Sequence, residues 1–324
     1  MTTLHCTVPS RIAINLYDMN GNLGRVDGGM GFSIDNPKLE FEIKKNDQFS
    51  IINKDYVNSE LSSKLLTVLT EIAHQYKTNG VEITLIDTIP EHSGFGSKTA
   101  TLLSVIYAFG KLYDLNLDMC QIAQQVKRGG TSGLGINLID KGGFILEGGH
   151  STKYKKEFIP SSAAKTVTLA PILARYAMPD WNVLVALPKT VHMYGQKEIE
   201  FFQKICPVPR TDVEKSARIT LSQILPAICE GDRYTFCKGI NSLQDRVWKK
   251  NEITIYGSSV VDTIKKLHRL GAEGIGMSSI GPAVYAFGDN LEDIALRLEK
   301  NSDIEYSFIY ITKPNNFGMR IETK

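Results

Sequence analysis

The run QQVKRGGTSGLGINLIDKGGFILEGGH, residues 124–150, places a glycine-rich turn after one helical pattern and before a strand. The spacing predicts a helix over Leu117–Lys127 and a strand over GGFILEGG at 142–149. An earlier turn, PEHSGFGSKT at 90–99, also joins two elements. Before it lies the alternating run VEITLID at 81–87; after it comes TATLLSVIYAFGKLYDL at 99–115, apolar nearly all round. A helix of that pattern is buried rather than laid on a surface. Two glycine-rich turns, each at the end of a regular element, raise the question of what they hold.

For the earlier turn the residues favour an anion. Gly94 and Gly96 tolerate positive φ, so successive N–H groups converge. A helix starting near Ser97 adds the positive end of its dipole, and Lys98 adds a full charge. Gly94, Gly96, Ser97 and Lys98 are therefore expected to bind substrate phosphate, although the GxxxxGK[ST] spacing of a Walker loop is absent. In the later turn Arg128 offers a two-pronged grip on phosphate or carboxylate, and Thr131 and Ser132 offer hydroxyls. A plain structural turn with a solvated Arg128 explains that segment equally well. Glu147 and His150, just beyond, are candidate acids or bases or Mg²⁺ ligands, though a histidine after a strand is often structural. A third cluster, GAEGIGMSSIGP at 271–282, sets Ser278 and Ser279 among glycines, either as a ligand surface or as a long turn.

Elsewhere RIAINLYD at 11–18 and LEFEIK at 39–44 alternate as strands. The five glycines in NGNLGRVDGGMGFSID between them read as a hairpin turn followed by a close-approach loop. Residues 59–78 carry helical spacing with Asn58 or Ser59 as cap. Further helices are expected at 211–231, 232–248 and 257–270, and strands at 181–188, 282–288 and 306–312. The polar stretch 151–180 suggests a soft boundary between a lobe over 1–170 and another over 171–324. Strands and helices mix without strict alternation, so the class is α+β.

Composition excludes several functions. Net charge is +2 and no dense basic run appears, which argues against a nucleic-acid partner. Five scattered cysteines without a CxxC pair suit free thiols in a reducing compartment. No apolar stretch is long enough for a membrane span, and the N-terminus lacks the apolar core of a signal peptide. A cytoplasmic protein acting on small molecules is expected.

Taken together, PSRIAINLYDMNGNLGRVDGGMGFSID at 9–35, PEHSGFGS at 90–97, RGGTSGLG at 128–135, GGFILEGGH at 142–150, GQKE at 195–198, PVP at 207–209 and GMSSIGPAVYAF at 276–287 resemble one family. It is the β-ribofuranosylaminobenzene 5′-phosphate synthases, within the GHMP kinase superfamily. GRVDGG and RGGTSG…GGF…GGH are particular to the family, whereas kinases of the superfamily share the glycine-rich turns. Two departures stand out. Where the kinases carry an aspartate in SGxD, this chain has Gly135; where the family reads Gly-Thr-Gln after Gly-Ser, it has Lys98-Thr99-Ala100.

The resemblance implies a GHMP-kinase-like two-lobed fold, with a ribosomal-protein-S5-like N-terminal lobe and a ferredoxin-like C-terminal lobe. It implies condensation of phosphoribosyl pyrophosphate with 4-aminobenzoate or a related aromatic acid, with loss of CO₂ and pyrophosphate, in methanopterin biosynthesis. Mg²⁺ would travel with the pyrophosphate, and a homodimer is compatible. Arg25 joins the substrate-binding set, and Asp27, Glu147 and His150 become the catalytic candidates. An ATP-dependent kinase and a non-catalytic metabolite-binding protein stand as alternatives.

Overall fold

The computed structural model describes residues 2–160, 163, 168–190, 195–300 and 303–324, so the expected boundary segment at 151–180 falls partly outside it. Its first element is a long antiparallel hairpin of β1 (Thr3–Asp18) and β2 (Arg25–Asn46). Leu4, Cys6, Val8, Ile12 and Ile14 on one strand, and Phe32, Ile34, Leu39, Phe41 and Ile43 on the other, are buried. That period of two builds one apolar face. The segment GRVDGGMGFSID is the start of β2, not a loop. Its glycines permit backbone contact within the sheet: a Cβ on Gly31 would lie 2.1 Å from the Ile12 carbonyl oxygen.

The strands β3 (Ser50–Ile52) and β4 (Gly80–Asp87) extend this sheet, with α1 (Ser59–Tyr76) between them, capped by the Asn58 side chain. Next come α2 (Ser97–Leu112), α3 (Met119–Gln125) and α4 (Leu134–Lys141). As its composition demands, α2 is enclosed, by β1, β2 and the other three helices. Three short strands follow: β5 (Phe144–Glu147), β6 (His150–Ser151) and β7 (Ile172–Tyr176).

The second layer begins with β8 (Val183–Pro188), followed by α5 (Gln196–Ile205) and α6 (Arg210–Ile219). A π-helical turn at Thr220–Ile224 leads into α7 (Leu225–Glu230), α8 (Arg233–Gln244), α9 (Val247–Thr254) and α10 (Gly257–Leu270). Then come β9 (Gly274–Met277), β10 (Val284–Phe287), α11 (Leu291–Lys300), β11 (Tyr306–Thr312) and finally β12 (Arg320–Thr323).

Among the described residues β11-β8-β10-β9 form an antiparallel four-stranded sheet, the strand order of a ferredoxin-like lobe. The run VLVAL in β8 is apolar throughout because both faces are covered. Val183, Val185 and Leu187 join the main core, while Leu184 and Ala186 pack with Val260 and Leu267 of α10 and Ile294 and Leu298 of α11. The remaining strands form an eight-stranded sheet. Both β7 and β12, counted in the sequence with the C-terminal lobe, belong to this first sheet, where β7 pairs with β5 and β12 with β1.

Candidate functional site

The three glycine-rich segments meet at a cleft of about 440 Å³ between the two lobes. Its wall includes Gly94, Gly96, Ser97 and Lys98 from the first, Arg128, Thr131, Ser132 and Gly135 from the second, and Ser279 and Ile280 from the third. That volume lies in the range of small-molecule sites.

Backbone packing fixes the first loop. A Cβ on Gly94 would sit 2.3 Å from the Ser278 carbonyl oxygen, and one on Gly281 2.2 Å from the Gly94 Cα. Gly94 and Gly96 also hold φ of 96° and 85°. The Gly94 carbonyl accepts from Arg11 Nη1 (2.8 Å) and from Ser278 Oγ (2.7 Å). Ser278 Oγ in turn accepts from the Ala13 amide (3.1 Å), and the Ser279 amide donates to the Ala13 carbonyl (3.1 Å). Ser278 thus stitches β1, the first loop and the C-terminal lobe together, and it does not line the cleft. The first turn of α2 opens at Ser97, so its leading N–H groups and Lys98 lie on the cleft wall.

Glu147 supports the second loop. Its carboxylate accepts from Ser132 Oγ (3.1 Å), the Gly133 amide (3.1 Å) and Asn137 Nδ2 (2.9 Å). Burial pushes its pKa up to about 7 against those bonds. The sequence did not announce α4, which starts at this point. Asp27 is fully buried; its carboxylate lies 2.7 Å from His150 Nδ1 and takes an ion pair from Lys155 Nζ (2.8 Å). His150 Nε2 meets the Gly129 carbonyl (3.1 Å), so the ring bridges the Asp27 carboxylate and the second loop. Lys155 Nζ (3.3 Å) and Thr131 Oγ1 (2.7 Å) both donate to the Ile159 carbonyl. Arg25 donates to the Gly148 and Gly149 carbonyls.

None of Asp27, Glu147, His150 and Arg25 lines the cleft. Expected as catalytic, Asp27, Glu147 and His150 lie behind its wall, where their hydrogen-bonding atoms are taken up in holding Gly129, Ser132, Gly133 and the strap to Ile159. Arg25, expected to bind substrate, is exposed and spends its contacts on the Gly148 and Gly149 carbonyls. Arg128 does line it, and its buried Nε has no hydrogen-bond partner among the described residues. Burial lowers its pKa, with Glu198 and Glu60 opposing.

Among the cleft residues not singled out in the sequence are Arg11, Asn15, Lys249 and Glu252. Arg11 is pulled down to about 10 by burial, opposed first by Glu252. Lys249 is 1% exposed; its Nζ pairs with Glu252 Oε2 at 2.7 Å and donates to the Met277 carbonyl at 2.7 Å. Glu252 thus pairs with Lys249 and acts through space on Arg11, as Glu147 and Glu198 do more weakly. Asn15 completes the set. Arg11 and Asn15 are polar residues inside a strand-forming run, a signal that was available; the Lys249–Glu252 spacing is that of any surface pair. Beyond Asn15 the wall turns apolar, with Leu16 and Ile280 packed on the cluster of Phe202 and Trp248.

Residues 63–139 match the family model of the GHMP kinases N-terminal domain, and 224–303 that of the GHMP kinases C-terminal domain. The fold is that of solved kinases of this class. Streptococcus pneumoniae phosphomevalonate kinase superposes with a TM-score of 0.69 at 13% identity, covering 96% of this chain and 100% of that one. A putative homoserine kinase from Listeria monocytogenes gives 0.66 at 13% identity over 98% and 99%. Within that class, sequence is more specific. Beta-ribofuranosylphenol 5′-phosphate synthase of Archaeoglobus fulgidus is 39% identical, over 98% of this chain and 99% of its own. The Methanocaldococcus jannaschii protein of the same name is 38% identical over 97% and 98%. The chain belongs to the beta-ribofuranosylphenol 5′-phosphate synthase family. No helix among the described residues is long and apolar enough to cross a membrane.

Proposed function

We propose that the chain is a decarboxylating phosphoribosyltransferase that joins phosphoribosyl pyrophosphate to a para-substituted benzoate, releasing pyrophosphate and CO₂. The observation that carries this reading is a cleft with two unlike ends. One end has the start of α2, Lys98, Arg11 and the unpaired Arg128 Nε; the other has Leu16, Ile280 and Phe202. The first suits the anionic donor and its leaving group, and the second suits an aromatic ring.

Departure of pyrophosphate leaves a cation at the ribosyl C1. The ring carbon bearing the carboxylate attacks that centre, forming the carbon–carbon bond. Loss of CO₂ then returns its bonding electrons to the ring. Stabilising the departing anion is the protein's main task here, and it needs cations and N–H groups, not a base on the acceptor. Gly135 fits this reading. A Cβ there would meet only Thr99 Cγ2, at an ordinary 3.4 Å, so packing does not demand the glycine that stands where kinases carry aspartate.

Mg²⁺ belongs to the proposal as the companion of the pyrophosphate, held by substrate oxygens and water. Among the described residues no group of three or more His, Cys, Asp or Glu is placed to hold a metal by itself. Glu60 and Glu198 are carboxylates on the same cleft wall. When bound, the ion neutralises charge on the leaving pyrophosphate.

The test supplies purified protein with Mg²⁺, phosphoribosyl pyrophosphate and carboxyl-labelled 4-hydroxybenzoate or 4-aminobenzoate, with ATP-only controls. Coupled release of pyrophosphate and labelled CO₂ is expected. Folded protein that releases neither, or that turns over only with ATP, overturns the reading.

A further inference from the structure

Asn15 is 3% exposed and lines the cleft, yet neither its Oδ1 nor its Nδ2 has a hydrogen-bond partner among the described residues. A buried amide left unpaired costs stability, so such a residue calls for an explanation. Local geometry adds a second observation. The β1–β2 register shifts between Ala13 and Asn15, a bulge that breaks the alternation of faces. Just past that shift the adjacent residues Asn15 and Leu16 both line the cleft, whereas strict alternation would put neighbours on opposite faces.

Position along β1 then says which part of a ligand Asn15 meets. Arg11 lies beside the phosphate loop, its side chain against Gly96, and the strand rises about 3.3 Å per residue. Asn15 is four residues on, roughly 13 Å away, next to the apolar end formed by Leu16 and Ile280. The donor's phosphates belong at the Arg11 end and the acceptor ring at the Asn15 end. Hydrophobic walls hold a ring but do not orient it; one buried amide among them supplies the polar reading.

We infer that Asn15 is a specificity-determining residue, whose side-chain amide reads the ring substituent opposite the acceptor's carboxylate and selects a hydroxyl over an amino group. The inference rests on the proposed function. An amide brings one acceptor and one donor group, and a hydroxyl likewise both donates and accepts. An aryl amine donates, but its lone pair is drawn into the ring, so Nδ2 would stay unpaired against it. A site with an unmatched buried polar group rejects the ligand that leaves it so.

The test is calorimetric titration of 4-hydroxybenzoate, 4-aminobenzoate and unsubstituted benzoate into wild type and Asn15→Ala, with Mg²⁺ and inorganic pyrophosphate filling the donor end. Wild type should bind 4-hydroxybenzoate roughly tenfold or more tightly than benzoate, and more tightly than 4-aminobenzoate. Asn15→Ala should lose that preference while keeping pyrophosphate affinity. Its Tm should not fall, because the side chain makes no hydrogen bond among the described residues. Equal weakening of all three acids, a lowered Tm, or a wild type that binds none of them overturns the inference. Turnover is scored separately: wild type that prefers the hydroxyl but releases neither product with phosphoribosyl pyrophosphate sinks the proposed reaction and leaves Asn15 as the hydroxyl reader of a binding site.

Discussion

Arg128 shows how burial turns a charge into a binding demand. Its Nε is enclosed with no hydrogen-bond partner among the described residues, so part of its desolvation is uncompensated until an anion arrives. Replacing Arg128 by Gln or Lys98 by Met should therefore weaken binding of phosphoribosyl pyrophosphate by roughly 10- to 100-fold, the worth of a charge-assisted hydrogen bond. The Tm should hardly move; isothermal titration beside a thermal melt checks both, and a parallel loss of stability would mark a structural turn instead. Glu147 is the opposite case, a charge fully spent on the fold. Its pKa is raised by burial, so the folded state holds its proton more tightly than the unfolded one. Its contribution is most favourable below the ordinary carboxylate pKa, declines as pH rises towards about 7, and is flat above. Glu147→Gln should flatten that part of the stability profile, by on the order of 3 kcal/mol between pH 4.5 and 8, as read from urea midpoints. The expectation that Glu147 and His150 were catalytic came from residue type, which carries no information about how many partners a side chain already has.

Elements were legible where local pattern and tertiary environment agree. The alternation in β1, the all-round apolar α2 and the run YSFIYIT, which is β11 throughout, all reflect burial written directly into residue order. The short helix α4, the strand β9 and the amphipathic α11 were passed over. Glycines that serve close packing looked like turn residues: a Cβ on Gly274 in β9 would meet Cys237 Cβ at 2.7 Å, and one on Gly133, the cap of α4, would lie 2.7 Å from Glu147 Oε1. Close approach also governs the first loop. Gly94→Ala must fit a side chain against a backbone oxygen while keeping positive φ, which should cost about 2–5 kcal/mol. Denaturant unfolding tests this, and a cost below 1 kcal/mol would show that the lobe junction gives way easily. At α4, by contrast, Gly135→Asp should fold normally and weaken pyrophosphate binding by bringing a negative charge to the cleft; tighter binding would contradict the leaving-group role given to that wall.

At the scale of the molecule, the superfamily fold was readable because the glycine-rich turns recur in order along the chain, but strand pairing across the sequence was not. The last strand is the clearest instance. RIET at 320–323 has little to mark it as a strand, yet it pairs with Leu4–Thr7. Around it the Gly143 amide donates to the Asn315 carbonyl (2.7 Å) and the Met319 amide to the Ile139 carbonyl (2.7 Å). Deleting residues 319–324 should lower Tm and leave β1 an open edge, visible as concentration-dependent association in size-exclusion chromatography. A monodisperse protein with unchanged Tm would contradict it.

The pairing of β1 with β12 also has a consequence in time. The ribosome delivers β1 well before its neighbour β12, with the strands and helices of the C-terminal lobe emerging between them. At about 5–20 residues per second, β1 waits on the order of 15–60 seconds for the strand that covers it. During synthesis the nascent chain therefore exposes an uncovered strand, and it is most open to chaperones, and to mispairing with its neighbours on a polysome, until β12 leaves the exit tunnel.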